Sequence, residues 1–579
     1  MAEITLKIQD QVFNVNKETL CEYSDYFRAM FSGNYAENEQ QVISIDVLDP
    51  NIMNIIVQYM QIGLIDLSEL DLPTIGDIAI AANFLQITEL LKQIEYTLDS
   101  QTCESNFMET MAIAETSTFR KLEQYSAAYG LYAFRSMKPE YIPTIHKLAW
   151  YLSHPYLDCQ SELDVFKFGF QWVLKNETGA DAILIILGCL DMKTMSSNDF
   201  EEMKVLMKDF ENSLAAKVIE CICELLKMEQ EISLEVLDMH KLDVLEKFNE
   251  RVLTEIKNIV KESKTRLLKY TPLIPMWLLK DSKPELLPHC MYTYTKDNGF
   301  EKWLEVAEKN LWGWNVVAWG LTKLVIVCGE YGRGTGTFMK DVKVYDVLRK
   351  EWTRHGVDLP PRRHSGVAVV GDSLYIVGGV GGFRVVMDTV IMYDLKQRSY
   401  RKIAKLPDAI QNPAVCSHEN RVYAAGQKNI YRYEDLGSTD TWKNIVGTEI
   451  RMSCLRSFKQ YIYCMQGYFS HLYRFRPDFD QRLELITYFS NLPATMCNLG
   501  DSLIVFTRTV CGQCDILAVE EYRGQSKAEK PRVLATLSKT SMRVNDVAGS
   551  CALVMTVPPL KSPLSQYQER YLTRYIEPV

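Results

Sequence analysis

Long hydrophobic runs are missing from this sequence of 579 residues. The strongest apolar run, Ala182 to Leu190, is too short to cross a bilayer. The first residues, Met-Ala-Glu-Ile-Thr-Leu, lack the basic and apolar regions of a signal peptide. We therefore expect an intracellular protein without a membrane partner, located in the cytoplasm, with the nucleus as a further candidate location.

Paired cysteines and clustered histidines are also missing. The fifteen cysteines are scattered and odd in number, which favours free thiols in a reducing compartment over a disulfide framework. The eight histidines are dispersed, so the sequence indicates neither a metal cluster nor a nucleophile-base pair. We expect no metal, no cofactor and no enzyme activity.

Basic side chains are scarce at the N-terminal end. Residues 1–100 hold 16 acidic and 4 basic side chains, and the formal net charge of the whole chain is −10. This distribution disfavours a general nucleic-acid binder. The remaining composition, 47% hydrophobic and 24% charged, is typical of a globular protein, and the length predicts three or four domains.

Two motifs with a spacing known from metal or phosphate sites have simpler interpretations. Cys511-Gly-Gln-Cys514 lacks a second cysteine pair for zinc, and it follows a strand pattern instead of opening a helix. The glycine-rich stretch from Gly329 to Gly336 is followed neither by a Lys-Ser or Lys-Thr pair nor by a helix pattern. We interpret both as structural features of a β-rich region.

The segment from Ser24 to Glu37, SDYFRAMFSGNYAE, combines a helix start with an apolar stripe. Ser24 is a suitable helix N-cap, and Gly33 is expected to end the helix. The apolar side chains between them share one helix face: Tyr26, Phe27, Met30 and Phe31. The pattern predicts a docking surface more readily than a catalytic one, and Phe27, Met30 and Phe31 also suit a hydrophobic core.

The elements around this segment follow a strand-then-helix order. Apolar and polar residues alternate from Ile4 to Val15 with a hairpin turn at Asp10-Gln11, and a further strand is predicted from Val42 to Val47. Helical spacing then follows Asp49-Pro50, stops at Gly63, and returns as a helix pair from Pro73 to Leu98.

Helical patterns continue with few strand signals from Cys103 to about Lys208, and a more highly charged helical block extends from Phe210 to Leu268. Trp172 and a neighbouring cluster of phenylalanines are predicted to be core: Phe166, Phe168 and Phe170.

After Tyr270 the sequence changes to short Val-, Ile- and aromatic-rich runs separated by glycine turns. The clearest unit extends from Asp372 to Pro407. Landmark glycines at positions 329, 379, 426 and 467 are spaced by 50, 47 and 41 residues. Units of about fifty residues with four strands are typical of kelch propeller blades, in which later Tyr and Trp side chains pack between blades. The sequence leaves five or six blades open.

Together these patterns resemble the BTB-BACK-kelch family over nearly the whole chain. Residues 1–100 are similar to a BTB domain, and residues 101–208 to a BACK domain. A helical extension or linker is predicted for residues 209–285, and a kelch propeller with degenerate C-terminal repeats for residues 286–579. The expected fold class is therefore multidomain α+β, with an α/β BTB domain, an all-α BACK domain and an all-β kelch propeller.

The resemblance implies a non-catalytic substrate-recognition adaptor of a cullin-3 RING ubiquitin ligase. BTB domains that recruit cullin-3 carry a hydrophobic-any-Glu motif after their third helix, and Tyr35-Ala36-Glu37 occupies that place here. The implied cullin-3 contacts are Tyr35 and Glu37, with Phe31 packing beneath them. The propeller would hold the protein substrate.

The implied substrate surface is a set of loop residues expected on one face of the propeller: Arg333, Arg362, Arg363, His364, Phe383 and Arg384. Kelch-like adaptors often place substrate-reading arginines where Arg362 and Arg363 stand, just before a Ser-Gly-Val-Ala-Val strand. Clustered arginines suit an acidic or phosphorylated degron. The alternative is that these arginines satisfy carbonyls within the blade or are solvated.

The sequence departs from the family pattern at several places. Family members usually have a helix and a strand ahead of the first strand, where this chain begins almost at Ile4, so the sequence leaves monomer, homodimer and heterodimer open. Three residues interrupt double glycines of the family: Glu330, Ala425 and Gln466.

A second hypothesis for the function is a scaffold that binds cytoskeletal or other proteins through the propeller. A third, an oxidase-like propeller, would need Tyr, Cys and His copper ligands, and the sequence offers no suitable set.

Overall fold

The computed structural model describes residues 3–32, 40–228, 247–263, 265–278, 288–296, 298–466, 468–511, 514–524, 529–540, 542–544 and 548–556. These residues fall into two compact units, one within residues 1–266 and the other within residues 267–563. The first unit is mainly helical, and the second consists of β-sheets.

The first unit begins with three strands among helices. Its strands are β1 (Glu3–Ile8), β2 (Gln11–Asn16) and β3 (Val42–Ser44). Its helices are α1 (Lys17–Tyr23), α2 (Asp25–Ser32), α3 (Pro50–Ile62), α4 (Leu72–Phe84), α5 (Thr88–Gln101), α6 (Phe107–Thr116), α7 (Arg120–Tyr132), α8 (Ile145–Ser153), α9 (Glu162–Asn176), α10 (Asp181–Gly188), α11 (Ser197–Leu206), α12 (Leu214–Lys227) and α13 (Glu250–Glu262).

The strand β1 is central in a small mixed sheet. It pairs antiparallel with β2, with Ile4 opposite Val15, and parallel with β3. The hairpin turn lies at Gln9-Asp10, one residue before the predicted position, because Gln9 adopts the left-handed conformation (φ 51°). The third strand is shorter than the predicted Val42 to Val47.

The predicted boundaries of α3 are confirmed by its caps. The Asp49 side chain accepts hydrogen bonds from the N–H groups of Asn51 and Ile52, and Pro50 occupies the first turn, where no helical partner for its nitrogen is needed. Gly63 ends the helix in the left-handed conformation with φ 80°, which an L side chain rarely adopts.

A hydrophobic core joins the first five helices to the helices that follow. It contains residues of the sheet and of α1 to α5, and it continues into α6 and α7 through Ile113, Ala114 and Leu122. Further along, Trp172 is buried, as predicted, and its indole N–H donates to the Ile142 carbonyl at 2.7 Å. The three predicted core phenylalanines of α9 are also buried.

The helices α12 and α13 pack as part of this helical region. The helix α13 lies against α10 and α12, and the Ser263 hydroxyl after it donates to the Leu190 carbonyl at 2.9 Å. The predicted helical extension over residues 209–285 is wrong at its C-terminal end, because residues 268–278 form a strand of the second unit. That strand pairs with residues 542–544 and 551–556 from the C-terminal end of the second unit, and also with the strand that follows it in the chain.

The second unit consists of the strands β4 (Leu268–Leu278), β5 (Pro288–Thr295), β6 (Gly299–Lys309), β7 (Leu311–Trp312), β8 (Asn315–Trp319), β9 (Lys323–Val327), β10 (Glu330–Tyr331), β11 (Val342–Asp346), β12 (Glu351–His355), β13 (Gly366–Val370), β14 (Ser373–Val377), β15 (Val390–Asp394), β16 (Ser399–Ile403), β17 (Val415–His418), β18 (Arg421–Ala425), β19 (Asn429–Asp435), β20 (Asp440–Gly447), β21 (Met452–Phe458), β22 (Tyr461–Gln466), β23 (His471–Phe475), β24 (Glu484–Tyr488), β25 (Leu492–Leu499), β26 (Ser502–Cys511), β27 (Cys514–Tyr522), β28 (Arg532–Thr540), β29 (Met542–Val544) and β30 (Cys551–Thr556).

These strands build antiparallel sheets in chain order, which we number as blades. Blade I contains β8, β9, β11 and β12, and each of blades II to V contains the next four strands in succession, from β13 to β28. Blade VI combines β4, β5 and β6 with the C-terminal strands β29 and β30, both of which pair with β4. One sheet thus joins the two ends of the second unit.

Hydrophobic clusters lie between successive blades and close the ring. Separate clusters join blades I and II, II and III, III and IV, IV and V, V and VI, and VI and I. Tyr393 lies in the first of these clusters, and Tyr433 and Trp442 lie in the second, as the blade pattern predicts. The fold is therefore a kelch β-propeller, with β8, β13, β17, β21, β25 and β30 innermost.

Candidate protein-binding surfaces

The helix α2 is attached to the first unit by its N-terminal cap and by two buried phenylalanines. The Ser24 hydroxyl accepts a hydrogen bond from the Phe27 N–H at 3.2 Å and donates to the Leu85 carbonyl, so the predicted N-cap also ties α2 to the end of α4. Phe27 and Phe31 are buried in the core of the first unit. Phe31 is thus a core residue, as one of the two interpretations of its pattern predicts.

Beside this buried face lies an exposed apolar group, in which the sequence indicated Tyr26 and Met30 but not their neighbours on α4. Tyr26 and Met30 are half-buried on one side of α2, and the Tyr26 ring lies 5.2 Å from the ring of Phe84 on α4. Phe84 and Ile80 are four residues apart on α4, and they are 40% and 50% exposed. We call Tyr26, Met30, Ile80 and Phe84 the docking patch. Tyr35 and Glu37 lie outside the described residues.

The candidate substrate residues of the propeller stand on two kinds of connection between strands. Arg333 and the pair Phe383-Arg384 lie between the second and third strands of their blades, and residues 362–364 join blade I to blade II. In an antiparallel blade these two kinds of connection emerge at the same end. We call this end the loop face.

Arg362 is directed into the blade and not toward solvent. It is 3% exposed, and its guanidinium donates to the Gly378 and Thr389 carbonyls at 3.2 Å each. A third bond reaches the Thr389 hydroxyl. Arg362 therefore fits the alternative that it satisfies carbonyls within the blade.

Arg363 pairs with Glu330, one of the residues that interrupt the family's double glycines. The guanidinium and carboxylate lie 2.6 Å apart, and the two side chains are 14% and 4% exposed. The other carboxylate oxygen of Glu330 accepts the Gly336 N–H. Beside this pair, burial and the Arg363 charge lower the pKa of the half-buried His364. Arg363 and His364 thus line the base of the loop face.

Three of the six candidate residues are fully accessible. Arg333 and Arg384 are exposed, and the whole Phe383 side chain projects from its loop. Phe383 and Arg384 both adopt left-handed backbone conformations, with φ 55° and 58°, which are uncommon outside glycine. The loop is closed by a hydrogen bond from the Gly381 N–H to the Val385 carbonyl at 2.9 Å. It therefore presents an aromatic and a cationic side chain from a defined turn.

A central cavity of about 710 Å³ opens among the innermost strands of the blades. Near the loop face it is lined by Ile450, Tyr468 and Phe469, which are 42%, 88% and 43% exposed. Sequence reasoning missed this apolar rim, because the fourth repeat is degenerate there. The only available signal is the aromatic pair directly after the Gln466-Gly467 landmark.

The described residues were also compared with the spacing that a metal site or a membrane-spanning helix needs. Within the described ranges, no three His, Cys, Asp or Glu side chains are grouped so that they could hold a metal ion. The cysteines whose side chains are described are free thiols. Cys511 and Cys514 are register partners in the hairpin of β26 and β27. None of the helices that the structure describes is both long and apolar enough to cross a membrane.

Comparison with known sequences agrees with this architecture. The profile of the BTB/POZ domain matches residues 1–102, and that of the kelch motif matches residues 361–407. Kelch-like protein 25 of Homo sapiens is 23% identical over 456 residues, covering 74% of this chain and 70% of that protein. Kelch-like protein 13 of Mus musculus is 22% identical over 72% of this chain and 53% of that protein, and Kelch-like protein 26 of Danio rerio is 24% identical over 82% and 84%.

A BTB fold, a helical region and a kelch propeller with exposed apolar and cationic surfaces define a multidomain protein that binds other proteins. The chain thus carries a BTB domain and a kelch motif, and Kelch-like proteins are similar to it over most of its length.

Proposed function

We propose that this protein is the substrate-recognition adaptor of a cullin-3 RING ubiquitin ligase, acting in the cytoplasm. The BTB domain would hold cullin-3, and the propeller would hold a protein substrate. The adaptor itself performs no bond chemistry. It raises the effective concentration of substrate lysines near the charged ubiquitin-conjugating enzyme.

The observation that carries the cullin-3 half is the docking patch. Tyr26 and Phe84 contact each other at the surface, and Ile80 extends the patch by one helical turn. Grouped exposed apolar side chains on a soluble domain indicate an interaction site. The patch borders α2, and the Tyr35-Ala36-Glu37 motif follows that helix within five residues. Both features therefore favour this side of the BTB domain as the cullin-3 surface.

The substrate half rests on the loop face of the propeller. Arg333, Phe383 and Arg384 are exposed there, while Arg363 is neutralised by Glu330. An exposed aromatic beside free arginines suits a protein segment that carries both an apolar and an acidic side chain. Arg362 is left out of this surface because its donors are used within the blade.

Co-purification of cullin-3 with the full chain tests the proposal. We expect Phe84→Ala, and the double change Tyr35→Ala with Glu37→Ala, each to lower the recovered cullin-3 by about tenfold or more, as for loss of an interface anchor. Tyr96→Ala is the matched control, because Tyr96 is an aromatic of the same domain that is 76% exposed and lies on α5. Retained cullin-3 binding in the double variant would exclude the docking assignment. Substrate capture without cullin-3 would then favour the scaffold alternative.

A further inference from the structure

A row of aromatic side chains crosses the loop face at blade IV. Tyr468 and Phe469 lie in the connection between β22 and β23, and Tyr488 is the last residue of β24. His471, the first residue of β23, is the register partner of Tyr488. We call Tyr468, Phe469, His471 and Tyr488 the aromatic row. It extends from the mouth of the central cavity to the outer strand of the blade.

The rings of the aromatic row contact one another and are open to solvent. The His471 ring stacks on Phe469 at a centroid distance of 5.7 Å and meets Tyr488 edge to face at 4.8 Å. A hydrogen bond of 3.2 Å between the Tyr473 hydroxyl and His471 Nδ1 holds the central ring in place. Tyr468 and Tyr488 are 88% and 57% exposed. Grouped exposed aromatic side chains on a folded domain indicate an interaction site.

The polar groups of the row limit the chemistry of its occupant. The exposed side chains of Glu449 and Arg451 lie near Tyr473 and Tyr468, respectively, so opposite charges flank the row. Among the residues that the structure describes, none forms a hydrogen bond with the hydroxyl of Tyr468 or Tyr488. The row therefore favours an uncharged apolar segment that also brings hydrogen-bond acceptors.

A polyproline II helix has this chemistry and a suitable repeat. It rises about 3.1 Å per residue, so two residues span roughly the distance between neighbouring rings of the row. It has no internal hydrogen bonds, and its carbonyls can therefore accept from tyrosine hydroxyls. Proline-rich segments in this conformation dock on surfaces lined by aromatic side chains.

Other forms of a protein segment match the row less well. An α-helix uses most of its carbonyls internally and leaves the tyrosine hydroxyls without acceptors. An added β-strand pairs with the backbone of a free strand edge, whereas the row consists of side chains. An acidic segment is repelled by Glu449 and is better suited to the exposed arginines Arg333 and Arg384.

We propose that the aromatic row binds a proline-rich segment of a partner protein in the polyproline II conformation. Prolines of the segment pack on Phe469 and Tyr488, and its carbonyls accept hydrogen bonds from the hydroxyls of Tyr468 and Tyr488. The inference rests on the proposed function, since it names a second part of the substrate, beside the part assigned to Arg333, Phe383 and Arg384.

The test uses the purified full chain and two pools of fluorescent nonapeptides. In the first pool every second position is proline and the others are randomised, and in the second pool alanine replaces each of these prolines. We expect about tenfold enrichment of the proline pool, because a preorganised segment loses less conformational entropy on binding. Equal capture of the two pools, or preferred capture of the alanine pool, overturns the proposal.

Three variants of the row locate the site. Phe469→Ala and Tyr488→Ala should each remove most of the preference for proline. Tyr488→Phe keeps the ring and removes the hydroxyl, so it should lower the preference by about threefold, as for loss of one hydrogen bond. A preference that persists in both alanine variants overturns the assignment.

Phe479→Ala is the matched control for these variants. Phe479 is 76% exposed and lies in the hairpin between β23 and β24, at the other end of blade IV, so its removal should leave the preference unchanged. Thermal unfolding of each variant checks that the propeller stays folded.

Cullin-3 binding, measured on the same preparations, reports on the adaptor role separately, since no residue of the row lies in the BTB domain. Bound cullin-3 without a preference for proline overturns this inference alone. A preference for proline without cullin-3 binding supports the inference and overturns the adaptor role alone.

Discussion

Glu162 and Arg266 form a two-pronged ion pair although 104 residues separate them. The Nε–Oε1 and Nη2–Oε2 distances are 2.8 and 2.9 Å, and the side chains are 4% and 9% exposed for Glu162 and Arg266. The remaining donors of Arg266 reach the carbonyls of His154 and Cys189. This pair fastens the segment after α13 to the start of α9.

Removal of one partner of this pair should destabilise the helical region strongly. For Arg266→Met we expect a loss of about 3 kcal/mol in the free energy of unfolding, because a buried carboxylate and two carbonyls lose their donors. Urea unfolding followed by circular dichroism at 222 nm measures the change. Glu140→Gln is the control: it breaks the exposed pair with Lys175 and should cost less than about 1 kcal/mol. Equal costs for the two variants would refute a structural role of the buried pair.

Two arginines of the predicted substrate surface should respond to substitution in opposite ways. Arg362→Met should cost about 2 kcal/mol of stability, because it removes three buried hydrogen bonds from the guanidinium to Gly378 and Thr389. Arg384→Ala should change stability by less than about 0.5 kcal/mol, since the side chain is exposed. Thermal unfolding measures both effects.

Proximity labelling with blocked cullin activation compares the proteins that the unchanged chain and the Arg384→Ala variant label. We expect some substrates to be labelled by the unchanged protein and not by the variant. A stable Arg362→Met variant, or an Arg384→Ala variant with unaltered labelling, would contradict these two roles.

Acidification should weaken the contact between blades I and II. Burial, with the charges of Arg398 and Lys323, lowers the pKa of His355 to about 4, and its Nδ1 lies 2.8 Å from the Tyr393 hydroxyl. The unfolded value is about 6.5, so the unfolded chain binds more protons between these values. The neutral histidine therefore stabilises the fold fully above about pH 6.5, and this contribution is lost as the pH falls toward 4.

The measurement compares the unchanged protein with His355→Gln in urea unfolding at pH 7.5, 6 and 5. We expect the stability difference between the two proteins to shrink with each step, because glutamine does not titrate. A difference that stays constant across this range would show that His355 does not titrate as the structure implies.

Gly130 should not tolerate even a methyl group. A Cβ at this position would lie 2.2 Å from two ring carbons of Phe107, which is buried in α6. Alanine normally favours a helix by about 1 kcal/mol over glycine, so Gly130→Ala in α7 is stabilising by propensity alone. We expect the steric clash to outweigh this and to cost about 2 kcal/mol. Gly179→Ala is the control. A Cβ at Gly179 would meet no heavy atom within 4 Å, but the backbone φ of 82° strains an L side chain, so this variant measures backbone strain without a steric clash.

Features with local causes were predictable from the sequence. Asp49, Pro50 and Gly63 set the ends of α3 through hydrogen bonds and backbone preferences within one turn. The glycine spacing near fifty residues predicted the blade repeat, and the buried phenylalanines of α9 followed from their apolar character. The burial of Phe31 in the core also followed from its apolar character.

Features that depend on distant segments were not predictable. The docking patch forms because α2 meets α4, which brings Tyr26 to Phe84 across 58 positions of sequence. The strand β4 was predicted as part of a helical extension, because its role becomes evident only when β30 pairs with it from the other end of the unit. The apolar rim of the central cavity is formed by residues 450 and 468–469, which lie on separate connections between strands.

The sequence alone determined that this protein has a BTB domain, a helical region and a kelch propeller, since periodic apolar residues, caps and glycine turns act within a few residues of one another. Only the tertiary structure decided which arginines face solvent. Arg362, Arg363 and Arg384 lie within 23 positions, yet one is buried among carbonyls, one is paired with Glu330 and one is free. The difference arises because the partners of a buried guanidinium come from neighbouring loops and strands, and their approach is set by the packing of whole blades.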